Sequence, residues 1–378
     1  MQCFAGSKGK CVFSQSYSEG SSWKAHKVTD EVWVGGSTQN MVPNGGKLST
    51  KFTFGCMQSE TGLFRGQVVD GIMGMSAASD TLVHQLFANK VLNTRAFSMC
   101  FRVGGGVLTL GGVDERLNHS PMQFVKLLKP QGWFTVRLLE VAMIKGRIDD
   151  NVTILSPKRI DTPIETYGRG KGCIVDSGTT DSYLPSSIAK QFNQIFKDFF
   201  GKPFHNKAQM ISPEEFAKLP VILFKLEGSN GKPITVSMPP ESYCENLGPD
   251  KYAFRVYVNE PSGAVLGANF MNNQNVMFDI DSKKIGIAQS TCEYKEIAEV
   301  DVIGEKADAE ANLLFDKSGG KGMSKGKEKG KQKQKVANTQ QAPSPHEGPL
   351  LAGTYTFFYC YMSFDFQYFI LIQLYDLI

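Results

Sequence analysis

Between Cys11 and Tyr294 the chain alternates apolar and polar residues over short runs, and the period lengthens to that of a helix at two places. Phe13 to Trp23 alternates on both sides of a turn containing Glu19-Gly20, which predicts a hairpin. Further strands are predicted at Val28–Gly36, Leu48–Cys56, Phe97–Phe101, Gly106–Gly112, Met122–Lys126 and Gly132–Met143. Later ones fall at Leu219–Leu226, Ile234–Met238 and Tyr252–Val258. The first helix follows Gly74, with Asp80 as N-cap and Leu82, Val83, Leu86 and Phe87 on one face. The second is capped by Ser187, buries a stripe of Ile188, Phe192, Ile195, Phe196 and Phe199, and stops at Gly201. That stripe reads as core. Residues 145–171, charged and Pro-containing, read as a loop or hairpin.

The pattern fails after Tyr294. Residues 301–350 have no apolar period, and Gly319–Lys335 is a basic, low-complexity run that predicts a disordered linker. Tyr355–Ile378 is aromatic and apolar but is interrupted by Asp365, Gln367 and Gln373. A spanning helix needs about 20 predominantly apolar residues, and a central carboxylate costs about 3 kcal/mol on insertion scales. The tail is therefore a candidate membrane segment that falls short of a clear span, and an artefact of gene prediction is the competing reading.

A chain of 378 residues has room for two domains, and Gly 38 with 11% aromatics fits a turn-rich β protein. The net charge of +4 sits largely in the late Lys-rich run, so nothing points to nucleic acid. Eight cysteines show neither a CxxC nor a His cluster, which argues against zinc and for a disulfide-bearing secretory protein. Sequons at Asn118 and Asn151 agree. Residues 1–10 lack the apolar stretch of a signal peptide, an absence that conflicts with secretion unless the start of the protein is missing. Cys3 and Cys11 can pair, or either can have an upstream partner; Cys100 can meet Cys56 or Cys292, and Cys244 can meet Cys292. Cys173 reads as a free core thiol.

The chemistry centres on Cys173-Ile174-Val175-Asp176-Ser177-Gly178-Thr179-Thr180. A buried strand runs into one carboxylate, Gly178 lets the backbone crowd it, and two threonines supply donors. Donors favour the ionised carboxylate and lower its pKa, which suggests acid–base work by Asp176. An ordinary Asp-Ser-Gly turn is the competing reading of those eight residues. Asp181-Ser182-Tyr183-Leu184-Pro185 and a helix follow, and the whole string resembles the second catalytic turn of a pepsin-like aspartic protease. Phe54-Gly55-Cys56, Glu60–Phe64 and Val69-Asp70-Gly71-Ile72-Met73-Gly74-Met75 resemble that family's first lobe. Tyr17 and Gly20-Ser21 match the flap that closes over substrate.

The resemblance covers about Cys11 to Tyr294 and implies an all-β, bilobal fold with short helices. It divides the chain into a partial N-terminal lobe with flap (1–130), a C-terminal lobe with the catalytic turn (131–295), the basic linker (296–352) and the apolar tail (353–378). It implies Asp176 as catalytic and Tyr17, Gly20, Ser21, Gly178, Thr179 and Thr180 as substrate-binding. It also implies a peptide or protein substrate, no metal or cofactor, a monomer, and a secretory or endomembrane location. One departure is decisive. The family uses two Asp-Thr/Ser-Gly turns, and this sequence has one. Asp70-Gly71, Asp80-Thr81-Leu82 and Asp161-Thr162-Pro163 each lack part of the turn. The first lobe is therefore expected to be incomplete, and Asp176 to sit ionised, a base without an acid. Three readings follow: an endopeptidase whose N-terminus is missing here, a non-catalytic binding protein that keeps the cleft, and a one-aspartate homodimer.

Overall fold

Alternating sequence becomes paired strands throughout. The computed structural model describes residues 4–5, 11–17, 20–34, 48–66, 71–129, 132–145, 156–293 and 369–370. Strand Cys11–Ser16 pairs antiparallel with Ser22–Trp33, setting Gln15 opposite Trp23 and Ser16 opposite Ser22. Ser22–Trp33 in turn pairs with Ser49–Thr61 along its whole length. The expected hairpin arm and the expected strand at Val28 are thus one continuous strand, eased by a register shift between Lys24 and Ala25. Phe13, Trp23, Ala25, Phe64 and Ile72 pack on its inner face, with the Phe13 and Trp23 rings edge to face at 5.3 Å.

A five-stranded sheet joins early and late sequence in the order Gly105–Leu110, Ala96–Arg102, Gln274–Asp279, Lys284–Gln289 and Gln123–Lys126. Phe97 stacks on Phe278 at 4.9 Å, and Phe134 lies 4.6 Å from Phe278. A disulfide between Cys100 and Cys292 fastens the same sheet. It settles the alternatives: Cys100 does not pair with Cys56, and Cys244 does not pair with Cys292.

The second five-stranded sheet has the order Val256–Glu260, Ser182–Pro185, Ala264–Leu266, Cys173–Val175 and Thr135–Val136. Cys173–Val175 runs parallel to Ala264–Leu266, and all three of its residues are buried. The helix Ala189–Phe200 backs this half of the molecule. Phe192, Phe196 and Phe200 face inward and meet Phe204 and Phe254 in a ring cluster, each ring contributing roughly 1.5–3 kcal/mol by burial. Gly201 ends the helix in the left-handed region, at φ 84°, with its N–H on the carbonyl of Lys197.

Local expectations are corrected at several points. Thr81, and not Asp80, caps the first helix, because its hydroxyl accepts the His84 N–H while Asp80 is exposed. Ser187 lies exposed in a short 3-10 turn, Ser186–Ile188, and the α-helix begins after it without a side-chain cap. The expected strand Tyr252–Val258 breaks at Arg255, whose N–H goes to Tyr243 and whose carbonyl is taken by Asn269. Ala264–Leu266 is a strand, and Ala268–Met271 after it is helical. The 145–171 segment includes a short strand, Lys158–Arg159, and a helical turn, Glu165–Gly168. Glu19, Asp70, Asn151, the 296–352 linker and nearly all of the 353–378 tail lie outside the described residues. Phe369–Ile370 is described, as a short strand antiparallel to Met73–Gly74. Among the described residues no helix is long and apolar enough to cross a membrane.

Candidate active site

Strand Cys173–Val175 carries the chain into the interior between Ala264–Leu266 and Thr135–Val136. Val175 donates its N–H to Phe134 at 3.0 Å and Asp176 to Leu266 at 2.9 Å, so the backbone at the end of the strand is fixed on both sides. The carboxylate that emerges is buried, with Asp176 8% exposed. One oxygen accepts the N–H of Gly178 at 3.0 Å, and the other accepts the hydroxyl of Thr179 at 2.6 Å. Gly178 and Thr180 are exposed beside it. The turn thus aims two donors inward at the aspartate while leaving the adjoining backbone open.

Burial raises the pKa of Asp176 above its ordinary value, against the opposing pull of the Thr179 hydroxyl, the Gly178 N–H and the charge of Lys171. This reverses the direction expected from sequence. The donors are where the motif puts them, but desolvation of the charged form outweighs them. A carboxyl group raised in this way holds its proton to higher pH than an exposed aspartate does.

A second layer holds the turn. Ala268 N–H donates to the carbonyl of Thr179 at 2.7 Å, and Asn269 N–H to that of Thr180 at 3.1 Å. Gly267 permits this approach, because a Cβ there would collide with the backbone oxygens of Asp181 and Thr179. Ser182, wholly buried, donates its hydroxyl to Asn269 Oδ1 at 2.7 Å and accepts the N–H of Gly267 at 3.1 Å. Sequence reasoning missed the supporting roles of Ser182, Gly267 and Asn269. Their signals were a polar Ser182 within an apolar strand, and Val265-Leu266-Gly267 repeating the pattern of Ile72-Met73-Gly74.

Tyr17, Gly20 and Ser21 come together at the tip of the first hairpin. Tyr17 N–H donates to Ser21 at 2.9 Å and Gly20 N–H to Tyr17 at 3.0 Å, with Gly20 at φ 95°. The Tyr17 hydroxyl accepts the indole N–H of Trp23 at 2.8 Å, and its ring packs edge-on against Phe64 at 5.2 Å. Ser21 is buried, and its hydroxyl accepts the N–H of Leu63 at 3.0 Å. Cys173 is a buried thiol that burial pushes up to about 12, which suits a core residue and not a nucleophile. Among the described residues no group of three or more His, Cys, Asp or Glu is placed to hold a metal ion.

The family model described as eukaryotic aspartyl protease matches residues 8–290. "Aspartic proteinase 36" of Arabidopsis thaliana is 27% identical over 308 residues, covering 76% of this chain and 58% of that protein. "Aspartic protease 5" of Toxoplasma gondii is 24% identical over 300 residues, 75% of this chain and 28% of that protein. "Cathepsin D" of Mus musculus is 23% identical over 269 residues, 64% of this chain and 57% of that protein. The chain therefore spans less than two thirds of the length of these relatives. With its mostly β architecture, its short helices and a buried Asp-Ser-Gly-Thr turn, the chain belongs to the eukaryotic aspartyl protease family.

Proposed function

We propose that this chain is the greater part of an endopeptidase that hydrolyses peptide bonds with water activated at Asp176. The observation that carries the reading is the buried carboxylate with one donor on each oxygen, on a strand tied into the core from both sides. Asp176 takes the proton of the attacking water as general base. A second carboxyl group, protonated, donates to the scissile carbonyl oxygen. Aspartic proteases are the type case of this arrangement, in which two close carboxyl groups share one proton because both cannot ionise together. Each such proton transfer contributes roughly 10²–10⁴-fold.

The 378 residues hold one Asp-Ser-Gly turn and no Asp-Thr-Gly, so on this reading the acid comes from sequence outside them. By itself this chain is proposed to be inactive. Peptide substrate would lie extended along Gly178-Thr179-Thr180, paired through its backbone, with the Tyr17 hairpin closing over it. The Cys100–Cys292 bond fits an oxidising compartment, so a secretory or endomembrane location is proposed. The single turn also favours a second reading, a non-catalytic peptide-binding protein.

One experiment separates the two. The protein is extended with upstream sequence bearing Asp-Thr-Gly and incubated with denatured protein at acidic pH, with pepstatin as the active-site probe. Cleavage that pepstatin blocks and Asp176→Asn abolishes, in a protein that stays folded, supports the endopeptidase. Pepstatin binding without cleavage supports the binding protein. Cleavage that survives Asp176→Asn overturns the assignment of that residue.

A further inference from the structure

The strand that follows the catalytic turn has a second face. Ser182 points inward to Gly267 and Asn269, so the two-residue period of a strand turns Asp181 and Tyr183 to the other side. Tyr183 lies opposite Tyr257 in the parallel pairing with Val256–Glu260, and the two rings stack at 5.1 Å and 15°. Both tyrosines are half-buried, with part of the stacked pair open to solvent. Asp181 directly follows Gly178-Thr179-Thr180, of which the first and last are exposed and along which the substrate backbone is proposed to lie.

Charge around the stack is almost balanced. Arg255 forms an ion pair with Glu245 and donates to the Tyr257 hydroxyl at 3.2 Å. Lys171 pairs with Glu260 at 2.9 Å. Asp181 is left over: among the described residues its carboxylate has neither a hydrogen bond nor an ion pair, although Arg255 lies near enough to pull its pKa down. Burial outweighs that pull and raises the pKa. A half-buried charge without a partner is a standing penalty, relieved by any cation that arrives with its own apolar stem.

We propose that Asp181, with the stacked rings of Tyr183 and Tyr257, forms a subsite for a lysine or arginine side chain of the bound peptide. The inference rests on the reading of the Asp176 turn as a peptide cleft. A cationic side chain satisfies both halves of the surface, its stem and charge on the ring faces and its head on the carboxylate. An apolar side chain would cover the rings but desolvate Asp181 further. An acidic one would meet Asp181, Glu245 and Glu260 together.

The test uses the full 378-residue chain and fluorescein-labelled hexapeptides on an alanine background, in which one Lys, Leu or Glu is walked through every position. Anisotropy at pH 7 should find a position where Lys binds about tenfold tighter than Leu, with Glu weaker than both. Asp181→Asn should bring the Lys and Leu peptides together at that position. The unmutated chain supplies a check that does not depend on how the variant folds. On acidification through the raised pKa of Asp181 the lysine advantage should fade, because its protonated carboxyl no longer attracts a cation, whereas Glu245 and Glu260 are already matched by Arg255 and Lys171. Peptide binding with no lysine preference, or one that Asp181→Asn leaves intact, overturns the subsite and leaves the Asp176 reading standing. Absence of any peptide binding at millimolar concentration overturns the cleft, and the subsite with it.

Discussion

The bond between Cys100 and Cys292 offers the sharpest test of how the early and late halves of the chain are joined. Its cysteines are 192 residues apart in sequence, and it closes on a buried cluster with Val107 and Leu117 at the edge of the sheet that pairs Ala96–Arg102 with Gln274–Asp279. Closing a loop of that length removes about 5 kcal/mol of chain entropy from the unfolded state, while losses measured for native disulfides run at about 2–5 kcal/mol. The sheet and its aromatic core remain when the bond is gone, so the fold should survive in weakened form. For a domain of this size that range corresponds to a fall in Tm of about 4–10 °C. The Cys100→Ala/Cys292→Ala double variant is the right perturbation. Chemical reduction is not, because Cys11 is also disulfide-bonded. Calorimetry of the two proteins, with a non-reducing peptide map of the wild type, makes the measurement. A map that joins Cys100 to any cysteine other than Cys292, or a double variant that melts within about 1 °C of the wild type, would refute the reasoning.

Two further outcomes follow from the turn itself. Because burial raises the pKa of Asp176, the ionised carboxylate destabilises the fold in full above the raised pKa and not at all below the ordinary value of 3.8. Asp176→Asn should therefore melt higher than wild type at pH 7, with the gap closing as pH falls below that value; a gap that widens towards acid would contradict the sign. Gly267→Ala should lower stability by about 1–3 kcal/mol in denaturant titration, since its methyl group meets the carbonyl oxygens of Asp181 and Thr179. An unchanged midpoint would show that the turn has more room than these contacts allow.

Much of this arrangement was legible in the sequence because it is written in local rules. Period-two runs gave the ladders, Gly201 gave a helix end with positive φ, and Asp176-Ser177-Gly178-Thr179 gave a carboxylate with donors already in reach. What sequence reading got wrong depends on partners far along the chain. Arg255 breaks a strand because Tyr243 and Asn269 claim its backbone. The pKa of Asp176 rises because Thr135–Val136 and Ala264–Leu266 flank its strand and take it out of water, a burial that no count of neighbouring hydroxyls reveals. The pairing of Cys100 was left open for the same reason, and only the register of Ala96–Arg102 on Gln274–Asp279 selects Cys292.

The proposed second carboxylate has a structural address. In the later sheet, Ala264–Leu266 is paired on both sides, by Cys173–Val175 in parallel and by Ser182–Pro185 antiparallel, and Leu266 receives the N–H of Asp176. The earlier half repeats the apolar-apolar-Gly pattern at Ile72-Met73-Gly74, with Ile72 and Met73 also buried. Among the described residues, the partner of Met73–Gly74 is Phe369–Ile370, which runs antiparallel to it. Among the described residues no strand lies parallel to it as Cys173–Val175 lies along Ala264–Leu266. A strand edge with backbone groups to satisfy recruits whatever extended segment is near. On the proposed reading, a strand ending in Asp-Thr-Gly belongs in the parallel position, where its aspartate N–H would donate to Met73 as that of Asp176 does to Leu266. On that reading, the described residues of the earlier half offer a place for a second catalytic turn and no strand in the parallel position.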